Sequence, residues 1–156
     1  MNKIKIIVDT REQSGYFFET FEDVIVHHEG LRTGDYSLVG CSDPEIHGQT
    51  ICIERKSLAD LFGTMGNGRN RFLGEIGRML RFDFSAIVIE GTFKDIMDNP
   101  PQMSSMRPNA VIGSLVSIAT RYNIQVYACH DRVDAEFVTY HLLRRFLIDN
   151  KAFKEI

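Results

Sequence analysis

Short β-branched runs that end in charged residues constrain this chain more than any other feature. Ile4 to Val8 (IKIIV) reads as a buried strand that delivers Asp9, Thr10, Arg11 and Glu12 at its carboxyl end. Open α/β sheets tend to gather their sites at such strand ends. Further strands are expected at Val24 to His27, at Tyr36 to Val39 after the turn signal Thr33-Gly34-Asp35, and at Thr50 to Arg55. The stretch Cys41 to Gln49 reads as a hairpin loop, and the first four strands together as a meander.

Helices then alternate with strands. Ser57, followed three residues later by Asp60, opens a short helix through Leu58, Leu61 and Phe62, which stops in the glycine cluster Gly63, Gly66 and Gly68. A longer helix is expected from about Asn70 to Arg81, with Phe72, Ile76, Met79 and Leu80 on one side and Arg71, Glu75 and Arg78 on the other. Ala86 to Glu90 returns as a central strand, and Phe93 to Met97 forms a short helix. The stretch from Asn99-Pro100-Pro101 to Arg107-Pro108 is an exposed loop. Helix from Asn109 to Arg121, strand from Ile124 to Ala128 and helix from Asp131 to Asp149 complete an α/β pattern. At 156 residues, 44% of them hydrophobic, one core and a single domain over 1–156 are expected.

Several function classes fall away on composition. No apolar run approaches the roughly 18 residues of a membrane span, and Met1-Asn2-Lys3 leads straight into a strand, so an intracellular protein without a membrane partner is expected. Cys41, Cys52 and Cys129 are odd in number and lack a CxxC spacing, which argues against a disulfide framework and a zinc site. His27 and His28 sit next to each other on a strand, face opposite ways and make a poor metal pair. The glycine cluster lacks the lysine-serine ending of a P-loop. A net charge of −3 gives no global signal of nucleic-acid binding. Between Glu54 and Arg81, however, six basic residues stand against three acidic ones, and Arg55, Arg69, Arg71 and Arg78 are candidates for tracking DNA phosphates.

Gly34-Asp35 before one strand and Glu54-Arg55-Lys56 at the end of the next bring Asp35, Glu54 and Lys56 together if the strands pair as a hairpin. Glu54 and Lys56, two residues apart, share a face. Two carboxylates suit a hard divalent ion such as Mg²⁺, which prefers oxygen ligands. A neighbouring lysine holds water or screens the charge of a phosphodiester under attack.

The surrounding residues resemble the nuclease domain of the XPF family, whose signature runs GD, a variable gap, ERK, three residues and D. Here that is Gly34-Asp35, the gap, Glu54-Arg55-Lys56, Ser57-Leu58-Ala59 and Asp60. Val8-Asp9-Thr10-Arg11-Glu12 resembles the family's first motif, and Gly68-Arg69 with Arg71-Phe72 its next helix opening. The resemblance implies a restriction-endonuclease-like fold, a central mixed β-sheet flanked by helices, that cuts branched or flapped DNA with Mg²⁺ or Mn²⁺. Carried over by position, Asp35, Glu54 and the Arg55 main-chain carbonyl are implied metal ligands. Lys56 is implied to position the attacking water, and Asp9, Arg11, Glu12 and Asp60 to support. The family usually carries helix-hairpin-helix modules after the nuclease domain; the 156 residues here are read as lacking them, so junction preference is expected to rest on the nuclease domain or on a partner. Pairing through the C-terminal helices, as a homodimer or heterodimer, is also implied.

Alternatives stay open at this point. Asp60 in the first turn of a helix is stabilised by the dipole whether or not it serves the site. Arg11 is equally a structural partner of Asp9 or Glu12. A silent nuclease-fold module that binds DNA or a partner protein, and a hydrolase directed at RNA or at a restriction site, are the competing functions.

Overall fold

In the computed structural model, residues 2–154 are described, with side chains to Lys151. The elements in chain order are β1 (Ile4–Asp9), β2 (Val24–Glu29), β3 (Tyr36–Leu38), β4 (Ile51–Lys56), α1 (Leu58–Met65), α2 (Arg69–Met79), β5 (Phe84–Ile89), α3 (Phe93–Asp98), α4 (Pro108–Tyr122), β6 (Gln125–Ala128) and α5 (Arg132–Lys154). Every strand and helix read from the sequence is present, with ends shifted by a few residues.

The six strands form one mixed sheet in the order β2-β1-β3-β4-β5-β6. β1 runs parallel to β2, and β4, β5 and β6 run parallel to one another, while β3 is antiparallel to both β1 and β4. The expected meander is therefore corrected. β2 lies outside β1 on the sheet edge because the connection between them crosses over one face. Tyr16 and Phe18 in that connection are buried in the core beneath β1 and β3.

Helices cover both faces, which is why β1, β4 and β5 are near-continuous apolar runs instead of alternating ones. On one face Ile4, Ile6, Val8, Tyr36, Ile53 and Val88 pack with Ala135, Tyr140 and Leu143 of α5. On the other, Cys52, Ile87 and Ile89 meet Leu61 and Phe62 of α1, Phe72 and Ile76 of α2, and Leu115 of α4.

α1 begins with a complete capping box between Ser57 and Asp60. It runs through Gly63 and stops at Gly66, because burying Met65 offsets the roughly 1 kcal/mol that a helical glycine costs. Gly66 to Gly68 form the turn into α2.

Candidate active site

The start of β3 and the carboxyl ends of β1, β4 and β5 meet at one end of the sheet. Asp35 N–H donates to the Ile53 carbonyl at 2.9 Å, and Asp35 Oδ2 accepts from Arg55 N–H at 2.8 Å. This closeness requires Gly34. Its φ is +79°, and a Cβ there would lie 2.5 Å from Cys52 Sγ.

Along β4 the period of two sends Glu54 and Lys56 to the face covered by α1 and α2, and Arg55 to the opposite face. Lys56 Nζ lies 3.0 Å from Glu54 Oε1 and 5.4 Å from the centre of the Phe72 ring. Glu54 is only 5% exposed, and its Oε2 is buried with no hydrogen-bond partner. Burial pushes the Asp35 carboxyl up to about 7; Glu12 and Glu75 add to the rise, and Arg55 N–H and Lys56 oppose it. Burial, then the charges of Asp35 and Glu75, hold Glu54 well above the usual carboxylate range. For Lys56 burial works against the cation, but Glu54, Glu75 and Asp35 outweigh it and raise its pKa, so the ammonium is retained.

The remaining expected residues divide. Glu12 is drawn in, since its charge acts on Asp35. Asp9 is buried and occupied: Oδ2 accepts from Arg11 Nε and Oδ1 from Leu31 N–H, both at 2.9 Å, so it ties the loop after β2 to the end of β1. Arg11 also donates from Nη2 to the Leu31 carbonyl, and the rest of its side chain faces solvent. Asp60 completes the α1 cap and also borders a groove of about 420 Å³ with Lys56, Arg71 and Glu75. Arg69, Arg71 and Arg78 are exposed on α2. Arg55 departs from its expected role at phosphate. Its side chain is 9% exposed and held by Glu12 and Glu90, because its position on the strand turns it away from the groove.

The ERCC4 domain model matches residues 8–142. The chain belongs to the ERCC4 domain family. Among solved structures, XPF from Aeropyrum pernix superimposes with a TM-score of 0.70 at 21% identity, over 97% of this chain and 69% of that one. XPF from Aeropyrum pernix in complex with DNA gives 0.69 at 21%, over 96% and 66%. The chain thus spans about two thirds of the length of those proteins, and its fold is the restriction-endonuclease-like one. No curated protein matches the sequence.

Two site residues of this ERCC4 domain escaped the sequence reading. Glu75, on the polar side of α2, reaches Asp35, Glu54 and Lys56 with its charge. Glu54 and Glu75 can hydrogen-bond each other only when one is protonated, so with both ionised Glu54 Oε2 has no donor. Only the docking of α2 on the sheet reveals that approach. Glu90 follows directly on β5, and the signal for it was present: in a parallel pair, a charge just past one strand's end sits beside the end of the other. Among the described residues no three His, Cys, Asp or Glu side chains form a ready-made metal cage.

Proposed function

We propose that this ERCC4 domain is a metal-dependent endonuclease that hydrolyses phosphodiester bonds in DNA, at branched, flap or junction structures. The observation that carries the reading is that Asp35 accepts from the N–H of Arg55, between Glu54 and Lys56 on β4, while Glu54 pairs with Lys56 beside the groove and keeps its Oε2 buried without a hydrogen-bond partner. Family membership and a fold shared with XPF from Aeropyrum pernix, one of whose structures holds DNA, support it.

The donor set fits Mg²⁺ or Mn²⁺. Asp35 and Glu54 are raised by burial and by neighbouring carboxylates, Lys56 offsets only part of that negative charge, and a hard cation that keeps several waters needs few protein ligands. Asp35, Glu54 and the Arg55 carbonyl would hold it. That carbonyl points to the same side of β4 as the N–H that reaches Asp35. A bound divalent ion supplies an acidified water and charge for the phosphate oxygens.

The protein's own side chains do the rest. Glu54 fixes the Lys56 ammonium through their ion pair, and Phe72 limits its movement from below. So held, Lys56 orients the attacking water and screens charge that builds on phosphorus. Glu12 adds negative potential, and Asp9, Arg11 and Asp60 support the frame. Arg69, Arg71 and Arg78 on α2 track the DNA backbone.

On α5, Val133, Phe137 and Ile148 remain 78%, 52% and 45% exposed, which supports pairing with a second copy or a related chain through the C-terminal helices. No helix among the described residues is long and apolar enough to cross a membrane. We place the activity inside the cell, in DNA repair or recombination.

The test is a panel of labelled linear, flap, fork and four-way DNA plus RNA, with Mn²⁺. Asp35→Ala and Lys56→Ala each lower cutting by about 10²-fold or more. Equal activity in those variants, or a metal-independent gel shift without product, would replace the enzyme by a binding module.

A further inference from the structure

The face of the sheet opposite the groove carries a second charged cluster, centred on Glu90. Its carboxylate accepts from Arg55 Nε at 3.0 Å and Nη2 at 2.7 Å, from Tyr16 Oη at 2.8 Å and from Arg132 Nη1 at 3.3 Å. Glu90 is nevertheless only 10% exposed at its side chain, and Arg55 9%. A bidentate arginine–carboxylate pair with further donors on the same carboxylate fixes both groups more tightly than a surface ion pair does.

Arg55 extends from this cluster toward the site by two arms. Its main-chain N–H donates to Asp35 Oδ2 at 2.8 Å, and its Nη1 donates to Glu12 Oε1 at 3.3 Å. The peptide arm sets the Asp35 carboxylate, and the guanidinium arm sets Glu12, which sits close enough to Asp35 for its charge to act there. Arg132 braces the far side of the cluster: it donates to the Gly15 carbonyl at 2.8 Å and lies 4.8 Å from the Tyr16 ring centre. The loop after β1, the end of β5 and the start of α5 therefore converge on the residue beside Lys56.

We infer that Glu90 is a positioning residue of the nuclease, holding Asp35 and Glu12 in register through Arg55. The inference rests on the proposed metal-dependent cleavage. It gives the arginine of Glu54-Arg55-Lys56 a task beneath the sheet in place of phosphate contact.

The test uses the full chain with Glu90→Gln and Glu90→Asp, read by Mn²⁺ uptake from the electron paramagnetic resonance of the free ion without DNA, and by kcat and KM on a fork substrate. Outer partners of metal ligands typically change affinity or activity by about 10- to 100-fold. Glu90→Gln should therefore weaken Mn²⁺ uptake and lower kcat within that range with KM for DNA unchanged, and Glu90→Asp should recover part of both. A folded Glu90→Gln protein with wild-type Mn²⁺ uptake and kcat overturns the inference and leaves the nuclease reading intact. If Glu90→Gln does not fold, Arg132→Gln on its half-exposed side chain decides. A smaller loss of uptake, about 2- to 5-fold, supports the inference, and an unchanged Mn²⁺ titration overturns it. Wild-type protein that binds Mn²⁺ but cuts nothing leaves the uptake arm to decide for Glu90 while the enzyme reading fails. Wild-type protein that neither binds nor cuts removes both.

Discussion

Asp35 sits where its own charge is opposed. Its pKa rises from 3.8 to about 7 on folding, chiefly through burial. A carboxylate raised in this way favours the protonated native state, so its contribution to stability is complete below about pH 4 and is lost as pH rises through about 7. Metal-free protein should thus lose stability across that window in urea titrations. Saturating Mn²⁺ should flatten the slope, and Asp35→Asn should remove part of it while abolishing cleavage. Gly34→Ala should act in the opposite direction. A left-handed residue costs about 1–3 kcal/mol, and the clash with Cys52 Sγ adds to this, so the urea midpoint falls and activity goes with it. The meeting of Asp35, Glu54 and Lys56 was legible because a hairpin and a spacing of two are local rules. The same rule turns Arg55 away, but which side of β4 holds the groove is a tertiary fact. Glu75 carried no local signal at all.

At the scale of elements, Asp60 offers a clean comparison. It shares its capping box with Ser57, so Ser57→Ala and Asp60→Ala should each cost about 1 kcal/mol in chemical denaturation. Their cleavage rates, corrected for folded fraction, should fall equally. A much larger loss for Asp60→Ala would assign that carboxylate to chemistry. The helices were legible because caps and apolar spacing mark them, as in Ser57 with Asp60 and Phe72 with Ile76, whereas Pro108, read as the end of a loop, is the first residue of α4. Strand order was not. A parallel β1–β2 pair needs a long crossover, and the fourteen-residue connection from 10 to 23 has no helical pattern to announce one. Its buried aromatics Tyr16 and Phe18 were the only trace.

For the whole molecule, the proposed DNA binding calls for a local field, since the net charge is −3. Replacing Arg69, Arg71 or Arg78 by Ala should weaken binding about equally for all sequences. Each should also reduce the slope of log affinity against log salt by about one for every phosphate left without its arginine, measured by fluorescence anisotropy. Arg55→Ala should leave that slope unchanged.

The sheet is joined at its middle by very little. β3 has three residues, its register with β4 is the single pair Tyr36 to Ile53, and two of the bonds across the joint come from side chains, Asp35 to Arg55 N–H and Ser37 to the Ile51 carbonyl. Asp35 belongs to one half of the molecule and Glu54 with Lys56 to the other. Because α5 and the core beneath it bridge both halves, the joint can loosen locally at Asp35 and Ser37 without the halves separating, so mild warming should weaken the proposed cutting before circular dichroism registers the loss of helices.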